Sequence, residues 1–223
     1  MNQTNNLDQA RFNMVEQQIR PAEVLDPNVL NAIDSIPRET FIPSDYKGLA
    51  YSDTHIPIGS EQVTMTPIQE ARMLQALGIQ ATDKILEIGT GCGYLTALLA
   101  HLGEHVTSVE IDASLSAAAQ KNLTQKGIEN ITLETGDAAK GWPVGGTVTY
   151  DAIAVTGSMP VLDPNLKNQL AIGGRLCVVV GNAPIMQFML VTRIAEQQWR
   201  EECLFETLLT PLQNVQLPPE FVF

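Results

Sequence analysis

The segment Leu86-Glu87-Ile88-Gly89-Thr90-Gly91-Cys92-Gly93 gathers three glycines within five residues, two places behind a carboxylate. Glycine lets a backbone approach a ligand closely and adopt positive φ without penalty. At the end of a strand such a loop is a ligand cradle, because open α/β sheets bind ligands beyond the carboxyl ends of their strands. The spacing then narrows the ligand. A dinucleotide loop reads Gly-x-Gly-x-x-Gly, with glycine or alanine last, and that last position falls here on Tyr94. The loop is instead Gly-x-Gly-x-Gly. Glu87 beside it opposes a pyrophosphate but suits an ammonium or ribose hydroxyls.

Two more carboxylates extend the pattern. Glu110 ends the next strand, where an acid can accept from both ribose hydroxyls. Asp137, in Gly136-Asp137-Ala138, follows the third strand, where an acid can accept from an adenine amino group. S-adenosylmethionine carries a cationic amino-acid end and a sulfonium, with no phosphate. The three acids and the glycine loop therefore point to S-adenosylmethionine rather than NAD. The cofactor contacts are expected at Glu87, Gly89, Thr90, Gly91 and Gly93 of the loop. Glu110 and Ile111 follow at the second strand end, and Asp137 and Ala138 at the third.

The elements that must position these residues read as an alternating pattern. Lys84 to Ile88 is a short buried strand, and the helix after it carries Leu95, Leu98, Leu99 and Leu102 on one stripe. Val106 to Val109 is a second strand, Ser114 to Lys126 a helix stopped by Gly127, and Ile131 to Leu133 a third strand. Asp151 to Val155 is apolar enough to be buried on both faces. Asp163-Pro164 opens a helix, Gly173-Gly174 turns the chain, and Arg175 to Val180 forms a fifth strand. Gln187 to Phe205 reads as a hairpin around Glu196 to Gln198. This order predicts an α/β fold with a mostly parallel, doubly wound, Rossmann-like sheet and helices on both faces.

Residues 1–80 are expected as a helical layer packed on that cofactor-binding unit of residues 81–223. Asp26-Pro27 starts one helix there, which Pro37 closes. A loop rich in Pro, Gly and Ser runs from about Pro43 to Gln62. Thr66-Pro67 starts another helix, with Gln69 completing a capping box and Gly78 as its stop. The sequence leaves open whether the apolar Phe221-Val222-Phe223 end packs on the sheet, closes the acceptor site or meets a partner, packing being the commonest outcome for an apolar terminus.

With 223 residues, 44% hydrophobic and 17% charged, the chain can bury one sizeable α/β core. A net charge of −12 argues against a nucleic-acid partner. The apolar runs are too short for a membrane span and the first residues lack a secretory pattern, so a cytoplasmic protein is expected. Cys92, Cys177 and Cys203 have no ligand or disulfide spacing, and no metal site is expected. His101 and His105 sit away from the expected site, and His55 precedes Pro57 nearer to it.

Beyond the loop, the chain resembles the protein-L-isoaspartate O-methyltransferase family over nearly its whole length. The likeness rests on Met14 to Arg20, Val29 to Ile33 and Pro37-Arg38-Glu39. It continues through Ala50 to Asp53, Ile56 to Gly59, Leu86 to Tyr94, Gly136-Asp137 and Gly173 to Leu176. The resemblance implies a class I S-adenosylmethionine-dependent methyltransferase fold, with methyl transfer to the α-carboxylate of isoaspartyl residues in proteins or peptides.

One stretch departs. The family reads Gly-Gln-Thr-Ile-Ser-x-Pro where this chain has Glu61-Gln62-Val63-Thr64-Met65-Thr66-Pro67. The family's active-site serine falls on Met65, which is expected instead among the cofactor contacts, and a family glycine falls on Glu61. Methionine donates no hydrogen bond to a carboxylate, and Glu61 would repel one if it faced the pocket. Thr64 and Thr66 are the hydroxyls that flank Met65 and are the candidate catalytic residues. Thr66 is also the expected helix cap. Three readings follow: an isoaspartyl carboxyl methyltransferase, a methyltransferase for a small-molecule acceptor, and a non-catalytic S-adenosylmethionine binder.

Overall fold

The computed structural model describes residues 3–215. Helix α1 (Gln3–Met14) runs on through a π-turn at Val15–Ile19 and a 3₁₀ turn at Arg20–Ala22. Helix α2 (Pro27–Ser35) begins where the Asp26 carboxylate accepts from the Asn28 amide at 2.8 Å, with Pro27 in the first turn. Its stripe of Val29, Leu30, Ala32 and Ile33 is buried. Two more 3₁₀ turns lead to a short antiparallel pair, β1 (Pro57–Gly59) and β2 (Gln62–Val63).

This hairpin lies inside the stretch expected to be an irregular loop. Its turn is Ser60-Glu61, with φ of +49° and +58°. Such a two-residue turn favours Asn-Gly or Gly-Gly, so these residues hid it. Helix α3 (Pro67–Leu77) then starts at Thr66 with both halves of the capping box formed, and ends at Gly78 with φ +54°.

The main sheet follows as expected. Its elements are β3 (Lys84–Ile88), α4 (Tyr94–Leu102), β4 (His105–Glu110), α5 (Ala113–Gln125) and β5 (Ile131–Thr135). After these come β6 (Tyr150–Met159), α6 (Pro164–Asn168), β7 (Leu170–Asn182), β8 (Ile185–Ala195) and β9 (Gln198–Glu206). The order across the sheet is β5-β4-β3-β6-β7-β8-β9. The first five pair in parallel, and β8 and β9 form the antiparallel hairpin. The order reverses between β3 and β6, which opens a crevice beyond the end of β3.

Two strands are longer than their apolar runs suggested. β6 extends to Met159, and β7 begins at Leu170 rather than Arg175. Gly173-Gly174 lies inside a register shift of β7, between the pairs Tyr150↔Leu170 and Ala152↔Arg175. The glycines turn the chain within a strand rather than before it.

Alternation along the strands sorts the core. Ile85, Cys177 and Val179 join α2, α3 and α4 on one face, together with Met14, Ile19 and Phe41 from the N-terminal segment. Leu86, Ile88, Leu176 and Val178 face the other way, onto Leu166 of α6 and Tyr150. The N-terminal segment thus shares one continuous apolar cluster with the sheet.

After β9 the chain doubles back across the end of β6 as a strap. Ser158 fastens it: its amide donates to the Thr210 carbonyl at 2.9 Å, its hydroxyl to the Leu209 carbonyl at 2.8 Å, and its carbonyl accepts from Leu212 at 2.8 Å. The Phe221-Phe223 end lies outside the described residues. Among those residues, no helix is long and apolar enough to cross a membrane.

Candidate active site

All three loop glycines have positive φ, +93° at Gly89, +56° at Gly91 and +86° at Gly93. Each needs glycine for a second reason. A Cβ on Gly89 would run into the Thr156 hydroxyl, which donates to the Gly89 carbonyl at 2.7 Å. One on Gly91 would meet Ile58 of β1 at 3.2 Å, and one on Gly93 would press on Leu123 of α5 at 3.1 Å. Gly93 serves helix packing and walls no cavity, whereas Gly89 and Gly91 do.

Beyond β3, β4 and β5 lies a cleft of about 720 Å³ that opens to solvent. Glu110, Ile111, Asp137 and Ala138 wall it, as the sequence led us to expect, opposite Ile58 and Val63 of the hairpin and Leu209 to Gln213 of the strap. Glu110 is 5% exposed and accepts from the amides of Gly91 at 2.9 Å and Asp112 at 3.1 Å. Its remaining lone pairs border the cleft. Asp137 accepts from the Ala139 amide at 3.0 Å and from Asn214 Nδ2 of the strap at 3.0 Å. Two acids separated by apolar walls suit a ribose and an adenine between them. These residues fit S-adenosylmethionine.

Glu87 does not contact the cleft. Side chains alternate along a strand, so where Ile88 faces the cavity Glu87 faces α4. It is fully buried and accepts from the hydroxyls of Thr96 and Ser108, each at 2.5 Å. Its second oxygen, Oε1, has no partner among the described residues. Burial pushes its carboxyl up to about 8. The expected direct contact with a ligand ammonium is therefore replaced by an indirect one. Ser108 also bonds Thr90 at 2.6 Å, and Thr90 is on a cavity wall.

That wall belongs to a second cavity of about 350 Å³, on the far side of the glycine loop. It shares Ile58, Val63, Gly89, Gly91 and Thr156 with the cleft and adds Thr64, Met65, Glu70, Cys92 and Tyr94. Met65 and Thr90, both expected at the cofactor, lie on this side. Thr64 is buried, and its Oγ1 accepts from the Ile56 amide at 3.1 Å, leaving the hydroxyl proton free to donate. Thr66 walls neither cavity. Its hydroxyl accepts from the Gln69 amide at 3.4 Å as the helix cap. Glu61 is exposed at the hairpin tip and does not face the pocket. His55, also exposed, turns Nδ1 to the Thr64 carbonyl at 2.8 Å. His105 bonds Thr132 at the other end of the sheet.

Behind this cavity is a feature the sequence reading missed. Arg38, fully buried, holds both Glu70 oxygens at 3.1 and 3.3 Å and donates to the carbonyls of Ala50 at 3.0 Å and Met65 at 2.8 Å. Burial drives the Glu70 carboxyl upward, and the guanidinium opposes that shift. We take the pair as ionised, since the fork satisfies both oxygens at once. No local signal marks it, since Glu70 stands in α3 beside Gln69 and two residues before Arg72, as it would on a solvated helix face.

The chain's relatives agree with this architecture. The model of the protein-L-isoaspartate(D-aspartate) O-methyltransferase family matches residues 9–216. A protein-L-isoaspartate O-methyltransferase of Rhodopseudomonas palustris is 40% identical over 204 residues, 91% of this chain and 93% of that one. One from Syntrophus aciditrophicus is 42% identical over 186 residues, 83% and 84% of the two chains. A solved protein-L-isoaspartate O-methyltransferase superposes with a TM-score of 0.79 at 25% identity, over 92% of this chain and 66% of that one. A Plasmodium falciparum structure, described as a β-aspartate methyltransferase in complex with S-adenosyl-L-homocysteine, shares the fold. Its TM-score is 0.77 at 18% identity, over 93% and 98% of the chains. The match spans the hairpin, glycine loop and strap alike: the chain belongs to the protein-L-isoaspartate(D-aspartate) O-methyltransferase family and is an S-adenosylmethionine-dependent methyltransferase.

Proposed function

We propose that the chain methylates the α-carboxylate of isoaspartyl residues in proteins or peptides, which enters through the second cavity while the cofactor fills the cleft. One observation carries this reading: the two cavities meet across Gly89, Gly91 and Thr156, and Thr64, whose hydroxyl donates to no partner among the described residues, lines the acceptor side.

Bound S-adenosylmethionine supplies an electrophilic methyl on a sulfonium. Glu110 would accept from its ribose hydroxyls and Asp137 from its adenine amino group. Thr64 would donate to one acceptor oxygen and leave the other free to attack. A carboxylate needs no general base, and none is required of the exposed His55. No cation lines the second cavity: Arg38 lies behind its wall, where the fork neutralises the lining Glu70 carboxylate that would otherwise repel an acceptor carboxylate. An acceptor carboxylate there is oriented without being neutralised, so it stays nucleophilic. Met65 fills the wall and excludes water.

The test is labelled S-adenosylmethionine with an isoaspartyl peptide and its aspartyl twin. Base-labile methyl ester on the first alone is expected. Thr64→Val should lower kcat/KM about tenfold, the loss of one hydrogen bond to a charged group, and Thr64→Ser should restore most of it. Thr66→Val should leave kcat/KM nearly unchanged and cost about 1 kcal/mol of stability as a lost cap. Tight cofactor binding with no transfer to the isoaspartyl peptide would overturn the reading. Transfer to a metabolite fraction instead would move the acceptor to a small molecule.

A further inference from the structure

Gln69 has two jobs, and only one is explained by the helix it starts. In the first turn of α3 its Oε1 accepts from the Thr66 amide at 2.9 Å, completing the capping box. A glutamate would serve that role equally, and better beside the positive helix end. The capping box leaves the amide nitrogen unused. In this chain Nε2 donates to Thr207 Oγ1 at 2.8 Å and to the Leu208 carbonyl at 3.0 Å, so both its hydrogens go to the strap. The side chain is 7% exposed, so these bonds compete little with water.

The two ends of that amide belong to different halves of the site. Thr66 ends the turn that carries Thr64 and Met65 on the acceptor wall. The strap beyond Leu208 walls the cofactor cleft from Leu209 to Gln213, and Asn214 next holds the Asp137 carboxylate. We propose that Gln69 is a positioning residue that ties the acceptor turn to the strap, so that filling the cofactor cleft orders residues 64–66, none of which lines the cleft itself. This rests on the assignment of the two cavities to cofactor and acceptor.

The discriminating variant is Gln69→Glu, which keeps the cap acceptor and removes both donors to the strap. Backbone amide exchange is followed with and without S-adenosylhomocysteine, alongside calorimetric affinity. In the wild-type chain the ligand should slow exchange in both 64–66 and 207–214. In Gln69→Glu the slowing at 207–214 should persist, that at 64–66 should shrink at least tenfold, and ligand affinity should stay within threefold. With isoaspartyl peptide, KM should rise about tenfold while kcat changes less than threefold. Full retention of ligand-induced protection at 64–66 would overturn the proposal. So would equal loss in both segments together with cofactor affinity, which marks a general structural role. If Gln69→Glu does not fold, Thr207→Val, which alters only the strap end, should show a smaller loss confined to 64–66. Equal protection there would overturn the proposal as well. A wild-type chain inactive on isoaspartyl peptide overturns the acceptor assignment alone, since the exchange readout does not use the acceptor.

Discussion

The cofactor cleft takes its polar groups from consecutive strand ends, running without interruption from the glycine loop after β3 to Asp137 after β5. The acceptor cavity is assembled from pieces far apart: the turn carrying Thr64 and Met65, Glu70 on α3, Cys92 and Tyr94 after the glycine loop, and behind them Arg38, which opens the first 3₁₀ turn after α2. In the first, rigid parallel strands do most of the positioning, with Asn214 of the strap steadying Asp137. In the second, side chains position one another. Independent parts give local, additive losses, while mutually supporting parts give coupled ones.

Breaking the acceptor half should have the largest effect. Arg38→Met strands the Glu70 carboxylate and two buried carbonyls, and should cost about 3–5 kcal/mol in urea unfolding. Arg38→Met with Glu70→Leu should recover much of that, so the two losses do not add. Next is Glu87. Its carboxyl is raised from the ordinary range to about 8 in the fold. The folded chain therefore holds a proton that the unfolded chain releases. This group's contribution is least unfavourable below about pH 4.5, and stability falls as pH rises from there to about 8. The fall amounts to roughly 5 kcal/mol at most. Glu87→Gln should flatten that slope. A cationic ligand over the loop should also expel the proton, so calorimetry near pH 7 in buffers of different ionisation enthalpy should detect proton release on S-adenosylmethionine binding. Glu87→Gln should abolish it.

Glu110→Ala tests the cleft itself. Cofactor affinity should drop at least tenfold, about 1.4 kcal/mol, with acceptor KM nearly unchanged; a matching loss in acceptor KM would blur the division between the halves. The smallest effect belongs to Glu61→Gly at the hairpin tip. Relieving a φ of +58° should stabilise the chain by about 0.5–1 kcal/mol, read as a rise in thermal midpoint with unchanged cofactor affinity.

The same division explains what the sequence disclosed. The placing of Glu110, Asp137, Gly89 and Gly91 at the cleft was legible because strand, loop and helix are contiguous, whereas Gly93 went to helix packing. Glu87 was legible as an acid, yet its direction depended on strand parity, which sent it to Thr96 and Ser108. Thr66 was readable as a cap from its neighbours alone. The positive φ at Glu61 now accounts for the family glycine there, a backbone demand rather than a feature of the pocket. Arg38 with Glu70, and Gln69 with Thr207, could not be read, because nothing local relates partners 32 and 138 residues apart.

The Arg38–Glu70 pair bears on how such a pocket diversifies over generations. A lineage that first loses either charge passes through a poorly folded intermediate, and losing Arg38 also releases Ala50 and Met65. New acceptor walls are therefore reached by paired exchange, or by drift at Met65, whose side chain stands outside the pair. The methyl-donor half, whose parts do not depend on this knot, can be inherited unchanged while the other half changes its clientele.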